Sequence, residues 1–374
     1  MPDVTATDAN FRHLSAEGTE TTWCWYEAEG AVAVGTSSDA VAFFNRRMKR
    51  PERVKKLTEK DVIEAVLRAA LWVSVRIMPT SYWSRIARAT SKVRRSRQDK
   101  RKKPSYVANT ISAGIAKDKI SGGELFDQYR RRLHERRIMY LREKARPNPI
   151  DFEIVGLEEF EHTQAEGRGA ILWTMPYVFQ SLAGKRGLYE AGLNPAQVSV
   201  SSHGFSSSKA GIRYLNTPLV EAENRYLSER IVLEREKPAK ALRQAIRKLK
   251  SGRAVYFTNN VYSGRSFLQV PFGPSGWILM PQTPLLLARR YNFSLFTVET
   301  IELESFSRYR IKLVKCDVST DPAITENEAL AIAALFVRDE MIAGARENPD
   351  QFAGAQFLHR DQVVRLSERT PANE

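Results

Sequence analysis

The sequence predicts an α/β protein in which a mostly parallel central sheet is covered by helices on both faces. Two observations lead to this prediction. From Pro149 onward, short segments rich in β-branched and aromatic residues alternate with stretches of helical length and period, which is the pattern of parallel strands joined by helices. The chain has 374 residues, of which 43% are hydrophobic, and this is enough to bury such a core.

Six strands and three helices are expected in this core. The strands are FEIVG (152–156), GAILWTM (169–175), QVSVSS (197–202), AVYFTNN (254–260), SLFTVETIEL (294–303) and SRYRIKLVKC (307–316), and the last two are expected to pair antiparallel. The helices are SLAGKRGLYEAG (181–192), PAKALRQAIRKLKSG (238–252) and PLLLARRYN (284–292). Because parallel sheets bind ligands at the carboxyl ends of their strands, we expect the site near Thr174, Ser202 and Asn259.

The region before the core divides in two. Residues 1–57 have no sustained helical period and are interpreted as an N-terminal extension of unassigned function. A helix is predicted to begin at Thr58, where T-x-x-D resembles a capping box, and Pro79 limits its length. Residues 58–148 are interpreted as a basic, amphipathic, membrane-side region, residues 149–360 as the α/β core, and residues 361–374 as a polar tail.

The net charge of +15 comes largely from two basic blocks, residues 85–103 and 130–146. Such blocks attract anionic lipid headgroups, acidic carrier proteins or nucleic acid, although a solvated helix face explains them equally well. Trp72 and Tyr82 lie close to arginines, which suits a helix in the headgroup layer; core packing is the alternative. The absence of a nucleic-acid recognition motif or interleaved stacking aromatics argues against nucleic acid.

Other classes are excluded by what the sequence lacks. The sequence contains no run of about 18 uncharged apolar residues, so no membrane-spanning helix is predicted. The polar N-terminus is unlike a signal peptide. We therefore expect a peripheral protein on the cytoplasmic side of a membrane. The two cysteines, Cys24 and Cys316, are too few and too distant for a disulfide framework or a zinc site. Neither a metal nor a cofactor is expected.

Several segments, in order, resemble the bacterial lipid A late acyltransferases, the lauroyl/myristoyl transferase family. They are the strand GAILWTM followed by a helix, the unit LRQAIRKLKSGRAVYFTNN, the passage VPFGPSGWILMPQTPLLLARRYN, and NPDQFAGAQFLHR near the end. The resemblance covers roughly residues 61–360. It implies transfer of a fatty acyl group from an acyl carrier protein thioester to a hydroxyl of a glycolipid, at the cytoplasmic face of the inner membrane.

The family's catalytic pair is replaced in this chain. The resemblance implies a histidine base with an acid five residues later at the end of the first core strand, but those positions are Pro176 and Ser181. None of the five histidines has Asp or Glu five residues later. His203, directly after the third predicted strand, is the best candidate for a replacement base. The alternative is a loop histidine bonded to its local backbone.

Six further residues are expected to bind substrate: Tyr177, Arg213, Arg225, Arg230, Asn259 and Asn260. The arginines suit phosphate or the acids of a carrier protein, but pairing with Glu221, Glu223 or Glu229 is an equal alternative. The two asparagines suit a sugar or an acyl carbonyl. The apolar passage PFGPSGWILMPQTPLLL (271–287) suits an acyl-chain groove, and core packing explains it just as well.

Two functions follow from the sequence. The first is an active acyltransferase with altered catalytic residues, acting on a glycolipid or phospholipid. The second is a non-catalytic relative that binds lipid or an acyl carrier protein, as the partner of an intact enzyme.

Overall fold

Two β-sheets form the framework of the protein. The computed structural model describes residues 26–35, 39–48, 55–93, 97–145, 149–234, 238–259, 265–360 and 362. The strands are β1 (Tyr26–Val34), β2 (Val41–Met48), β3 (Asp151–Val155), β4 (Ala170–Thr174), β5 (Ala196–Val200), β6 (Glu229–Leu233), β7 (Ala254–Thr258), β8 (Ser266–Phe272), β9 (Gly276–Pro281), β10 (Ser294–Glu304), β11 (Arg308–Cys316) and β12 (Leu358–His359).

The larger sheet has seven strands in the order β3-β11-β10-β4-β7-β5-β6. Strands β10, β4, β7, β5 and β6 run parallel to one another. Strand β11 is antiparallel to β10 and parallel to β3. The predicted α/β class and the largely parallel sheet are therefore confirmed, as is the antiparallel pairing of the last two predicted strands.

Eleven helices accompany the two sheets among the described residues. They are α1 (Glu59–Ile77), α2 (Trp83–Val93), α3 (Arg97–Ser112), α4 (Lys119–Ala145), α5 (Leu157–Ala165), α6 (Ala183–Glu190), α7 (Lys209–Gly211), α8 (Thr217–Asn224), α9 (Pro238–Lys250), α10 (Thr283–Tyr291) and α11 (Glu326–Glu347). A π-helical turn, Ile212–Asn216, joins α7 to α8. Within this part of the chain, no helix combines the length and the apolar character needed to cross a bilayer.

The central strands bury both faces. On one face, Leu172 of β4 and Tyr256 of β7 pack in a cluster with Phe160 of α5 and Leu188 of α6. Side chains of the opposite face, Trp173 among them, pack with residues of α9, α10 and α11. Because side chains alternate along a strand, Thr174, Thr258 and Thr300 belong to the face covered by α5 and α6.

The second sheet has five antiparallel strands in the order β1-β2-β8-β9-β12. Its β1–β2 hairpin comes from the predicted N-terminal extension and pairs with β8 through residues 42–45. Strands β8 and β9 form a hairpin from the passage that we considered as an acyl-chain groove. Phe272, Leu279 and Met280 of this hairpin are fully enclosed, so these side chains are core residues of the sheet.

Helix α1 begins and ends as the sequence predicts. The side chain of Thr58 accepts a hydrogen bond from the amide of Asp61 at 3.3 Å, and the Asp61 carboxylate accepts one from the Thr58 amide at 2.8 Å. This reciprocal pair confirms the capping box. The last helical residue, Ile77, is two residues before Pro79, which favours an extended conformation in the residue before it.

Candidate functional site

Two of the three strand ends that the sequence indicated, at Thr174 and Asn259, lie together in the fold. Thr174 pairs with Thr258 on the neighbouring strand, and the amide of Asn259 donates to the carbonyl of Thr174 at 3.2 Å. The amide of Met175 donates to the carbonyl of Val298 on the other side of β4 at 2.8 Å. The carboxyl ends of β4 and β7 therefore form one edge, and the neighbouring β10 continues beyond it to Glu304.

The two positions at this edge where the resemblance implied a histidine and an acid carry no base. Pro176 is buried, and its carbonyl accepts a hydrogen bond from the amide of Gly354 at 3.0 Å. Ser181 is half-buried in the turn before α6. Neither side chain can take a proton from a hydroxyl near neutral pH, so proton transfer at this point of the fold needs another group.

Tyr177 is buried in the core at this edge and does not face solvent. Its side chain is 1% exposed, and its ring packs edge-on against Phe352 with 5.6 Å between ring centroids. Its hydroxyl lies beside the carboxylate of Glu299 on β10. Burial and then this carboxylate raise the pKa of Tyr177 well above its ordinary value, and burial raises the pKa of Glu299.

Polar atoms without partners cluster on the face of the sheet covered by α6. The hydroxyl oxygens of Thr174, Thr258 and Thr300 and the side-chain carbonyl of Gln180 are buried, with no hydrogen-bond partner among the described residues. A Cβ atom at Gly184 of α6 would lie 2.7 Å from the Thr300 hydroxyl, so this glycine brings α6 close to the cluster. Buried polar groups are nearly always satisfied, which makes the cluster a candidate for binding a polar ligand or water.

His203 has a carboxylate partner that lies 20 residues away in the sequence. Its Nε2 atom lies 3.0 Å from Oε2 and 3.3 Å from Oε1 of Glu223 on α8. The histidine follows β5 in a turn in which its amide donates to the carbonyl of Val200 at 3.0 Å. The imidazole, 19% exposed, is therefore fixed by an acid at the carboxyl edge of the sheet.

Three more donors converge on the same carboxylate. Nζ of Lys185 on α6 lies 2.5 Å from Glu223, Nη2 of Arg230 on β6 lies 2.9 Å from it, and the hydroxyl of Tyr140 on α4 lies 2.6 Å from it. We call Tyr140, Lys185, His203, Glu223 and Arg230 the Glu223 network. Nζ of Lys185 also lies 5.9 Å from the ring centroid of Tyr256, which borders the unpartnered hydroxyls.

The charges of the Glu223 network determine its protonation. Burial alone would raise the pKa of Glu223, but Lys185, His203 and Arg230 hold it well below its ordinary value. Burial lowers the pKa of Lys185 to about 8, against the opposing effect of Glu223. Burial and the Glu223 carboxylate raise the pKa of Tyr140 well above the usual range. Glu223 is thus a permanent anion, which can orient an imidazole.

The turn that carries His203 is built around one side chain. The Asn216 amide oxygen accepts from the amides of Phe205 and Ser206, both at 2.8 Å, and its nitrogen donates to the carbonyl of Ser206 at 2.6 Å. Gly204 has a φ of +126° and no room for a Cβ beside Asn216. Asn216 ends the π-helical turn, a feature that is frequent at functional sites.

The structure separates the other predicted site residues. Of the three arginines, only Arg230 joins His203, and it does so by pairing with Glu223, one of the alternatives considered above. Arg225 is exposed and donates to the carbonyl of Glu143 at 3.2 Å, and Arg213 is exposed against the ring of Tyr214. Asn259 is buried with its Nδ2 atom 3.6 Å from the sulfur of Met341. Asn260 lies outside the described residues.

The arrangement can perform acid–base chemistry with protein groups. An imidazole with one nitrogen held by a carboxylate can accept a proton at its other nitrogen, which is the division of roles in hydrolase and transferase dyads. Among the described residues, no three His, Cys, Asp or Glu side chains are placed to hold a metal ion. No protein-family model and no curated protein matches the sequence.

Proposed function

We propose that this protein is an acyltransferase of the membrane surface, related to the lipid A late acyltransferases that its sequence resembles. It transfers a fatty acyl group from an acyl carrier protein thioester to a hydroxyl of a glycolipid or phospholipid, at the cytoplasmic face of the inner membrane. His203 is the base in place of the family's histidine. The observation that carries the proposal is the 3.0 Å contact between His203 and the buried carboxylate of Glu223.

The contact defines which nitrogen reacts. Because the Glu223 carboxylate can only accept, the hydrogen of the neutral imidazole is assigned to Nε2, and Nδ1 is the free base. Nδ1 takes the proton of the acceptor hydroxyl while the oxygen attacks the thioester carbonyl carbon. The carbon–sulfur bond then breaks, and the leaving thiolate takes the proton from the imidazolium. The acyl ester and the free carrier thiol are the products. Glu223 is a positioning residue in this scheme.

The unpartnered hydroxyls give the substrate a polar surface. The hydroxyls of Thr174 and Thr258 lie at neighbouring strand ends and that of Thr300 lies inside β10, on the face where Lys185 lies over the ring of Tyr256. Hydroxyl donors at such a place suit the carbonyl oxygen of a thioester, which gains negative charge as the acceptor attacks. They support a bound polar group next to the Glu223 network.

The surface of the helical region supports the membrane location. Helix α1 exposes large apolar side chains, including Val66 and Ile77, and the exposed cations Arg76 and Arg85 lie beside the aromatic rings of Trp72 and Tyr82. Apolar side chains flanked by aromatics and arginines are typical of helices that lie in a headgroup layer. The partners proposed are therefore an anionic membrane, the lipid acceptor in it, and an acyl carrier protein.

A second function, a non-catalytic lipid- or carrier-binding protein that partners an intact enzyme, is favoured by one observation. Lys185, Arg230 and Tyr140 all bind Glu223 in addition to His203, so the carboxylate is fully satisfied without any catalytic role. In that case the Glu223 network is a structural cluster of buried charges, and Pro176 and Ser181 mark a lost reaction.

The two functions differ in turnover. Purified protein is given acyl carrier protein thioester and vesicles that contain candidate glycolipid or phospholipid acceptors, and the release of carrier thiol is measured. We expect His203→Ala to reduce the rate by about 100-fold or more. His162→Ala is the matched control, because that histidine is 78% exposed on α5 and should not affect turnover.

Two outcomes would contradict catalysis by His203. Turnover that His203→Ala leaves unchanged, in protein whose thermal unfolding is also unchanged, removes His203 from the mechanism. If no acceptor reacts while lipid co-purifies with the protein, the non-catalytic function is the correct one.

A further inference from the structure

Helix α1 has an apolar outer side and a mixed inner side. The side facing the protein carries the buried Asp61 and Glu64, the half-buried Arg68, and Leu71, which packs in an apolar cluster with Trp83 and Ile138. The outer side carries Val62, Ile63, Val66, Val73 and Ile77, which are 39–72% exposed. We call these five residues the outer face of α1. A helix on a water-exposed surface normally has the opposite arrangement, so the outer face fits an apolar partner.

The charges around the outer face indicate which partner. No charged side chain of α1 between Lys60 and Arg76 is exposed. The exposed cations Arg76, Arg85, Arg88 and Lys92 follow, and Arg76 stacks on Trp72 with 4.6 Å between the guanidinium carbon and the ring centroid. An apolar stripe bordered by cations and an amphipathic aromatic matches the layers of an anionic bilayer, with its apolar interior and acidic headgroups.

The inner side of α1 is bonded to the loop that carries His203. The carboxylate of Asp61 accepts hydrogen bonds from the hydroxyls of Ser206 at 2.5 Å and Ser208 at 2.7 Å. Arg68 donates to the carbonyl of Leu215 at 2.6 Å. Polar groups of the loop are thus hydrogen-bonded by α1, and the other side of this helix is apolar and exposed.

Two further contacts make this junction tight. The amides of Lys209 and Ala210 donate to the carbonyls of Lys55 and Lys56 at 3.0 and 2.9 Å, just before α1. A Cβ atom at Gly211 would overlap the Ser206 hydroxyl and the Asp61 carboxylate. Helix α1 and residues 203–211 therefore pack as one body.

We propose that α1 docks on an anionic bilayer through its outer face and thereby fixes residues 203–211, through Asp61, with His203 at the membrane surface. The acceptor that His203 meets is then a lipid that stays in the bilayer, not a soluble hydroxyl compound. The part concerning the acceptor rests on the proposed function. The docking and the coupling to the loop rest only on the contacts of α1.

The test uses the full-length protein with vesicles of phosphatidylcholine alone or of equal parts phosphatidylcholine and phosphatidylglycerol. Sedimentation measures binding, and amide hydrogen exchange measures the protection of residues 59–77 and 203–216. We expect binding to the anionic vesicles, with slower exchange in both segments. Val66→Asp should weaken binding about tenfold. Ile332→Asp, at an equally exposed apolar position on α11, should leave it unchanged.

A substitution at the junction separates docking from coupling. Asp61→Asn should still bind anionic vesicles but lose the slowing of exchange in residues 203–216, and Ser206→Ala, which keeps the Asp61 charge, should show the same separation. Full protection of that segment in both variants would overturn the coupling. Equal binding of Val66→Asp and the unsubstituted protein, or a dimer that covers the outer face and does not bind vesicles, would overturn the docking.

The same vesicles distinguish this inference from the proposed function. Vesicle-induced protection of residues 203–216 without any acyl transfer refutes the proposed function and supports the docking and coupling. Acyl transfer to a soluble hydroxyl compound, equally fast with and without vesicles, supports the proposed chemistry and overturns the part of the inference that concerns the acceptor.

Discussion

Nζ of Lys185 lies 2.5 Å from Oε2 of Glu223, although the two residues are 38 positions apart in the chain and both side chains are fully enclosed. An enclosed ion pair is stabilising only while both partners are present, because a lone buried charge loses its solvation without compensation. Lys185 and Glu223 should therefore be strongly coupled in folding.

A double-mutant cycle measures this coupling. Glu223→Gln leaves Lys185 and Arg230 facing a neutral side chain, and we expect it to lower the free energy of unfolding by about 3 kcal/mol. Lys185→Met should also be destabilising. The loss in free energy of unfolding of the double variant should be smaller than the sum of the two single losses by at least about 1 kcal/mol. Urea unfolding at neutral pH gives all four values.

An exposed ion pair provides the control for this cycle. Arg290 and Glu326 are separated by 2.8 Å, but their side chains are 60% and 40% exposed. Because solvent screens such pairs, Glu326→Gln should change the free energy of unfolding by less than about 1 kcal/mol. Additive effects at Lys185 and Glu223 would contradict the enclosed ion pair.

A second prediction concerns pH and Glu302. Burial, helped by the nearby Glu135, raises the pKa of Glu302 from 4.5 to about 7, against the opposing effects of the Phe306 amide and of Arg132. The folded protein therefore binds this proton more tightly than the unfolded chain. The contribution of Glu302 to the free energy of unfolding is therefore fully present below pH 4.5 and is lost as the pH rises from 4.5 to about 7.

Glu302→Gln removes this dependence, because glutamine resembles the protonated acid at every pH. The free energy of unfolding of the variant, relative to the unsubstituted protein, should increase between pH 4.5 and pH 7 by about 3 kcal/mol at most. Glu304→Gln, at the exposed end of the same strand, is the control. Parallel stability curves for Glu302→Gln and the unsubstituted protein would show that Glu302 ionises normally in the fold.

A third prediction uses two helical glycines. A Cβ atom at Gly344 on α11 would overlap both the Glu299 carboxylate and the Tyr177 hydroxyl, whereas one at Gly123 on α4 meets the end of the Lys103 side chain, at 3.5 Å from Cε and 3.7 Å from Nζ. We expect Gly344→Ala to be destabilising by about 2 kcal/mol through overpacking. Gly123→Ala should be stabilising by about 0.5 to 1 kcal/mol, because alanine favours the helix. Thermal unfolding distinguishes the two signs.

The Gly344 effect has an internal check. Tyr177→Phe removes one of the two atoms that the new methyl group meets, so it should recover part of the stability lost in Gly344→Ala. Failure of this recovery would place the strain elsewhere, at Glu299 or in the helix itself.

The elements that were predicted from the sequence are those with a strong local pattern. The apolar runs of β4 and β7 and the capping pair of α1 depend on neighbouring residues alone, and the structure confirms them. The β8–β9 hairpin was missed because Pro271 and Pro281 lie inside its strands, where proline is unusual. Helix α11 was also missed, although Thr325 and Glu328 form a capping box that indicates its start.

The site depended on information that no local pattern contains. His203 was found because it follows a predicted strand, but Glu223 is 20 residues away and Tyr140 is 83 residues from Glu223. Their meeting is determined by the packing of α4 against α8 and of α6 against the sheet. For α1 the sequence left two interpretations, a helix in the headgroup layer or core packing, and Val62 and Val66 are exposed in the structure.

The last prediction concerns the N-terminal hairpin. Strand β2 covers the edge of β8, with Phe44 stacked on Phe267 at 6.2 Å between ring centroids, and Val41 and Phe44 are fully enclosed. Removal of residues 1–48 would leave β8 as an apolar strand with open backbone amides and carbonyls. Such edges pair with other chains. We expect the truncated protein to self-associate, with an apparent mass in light scattering that increases with concentration.

A point substitution separates the loss of the edge from the loss of burial. Phe44→Ala keeps the backbone pairing with β8 but removes the enclosed ring, so it should lower the free energy of unfolding by about 3 kcal/mol while the mass stays unchanged. If the truncated protein instead stays monomeric at every concentration and keeps the thermal stability of the full chain, β2 does not protect β8.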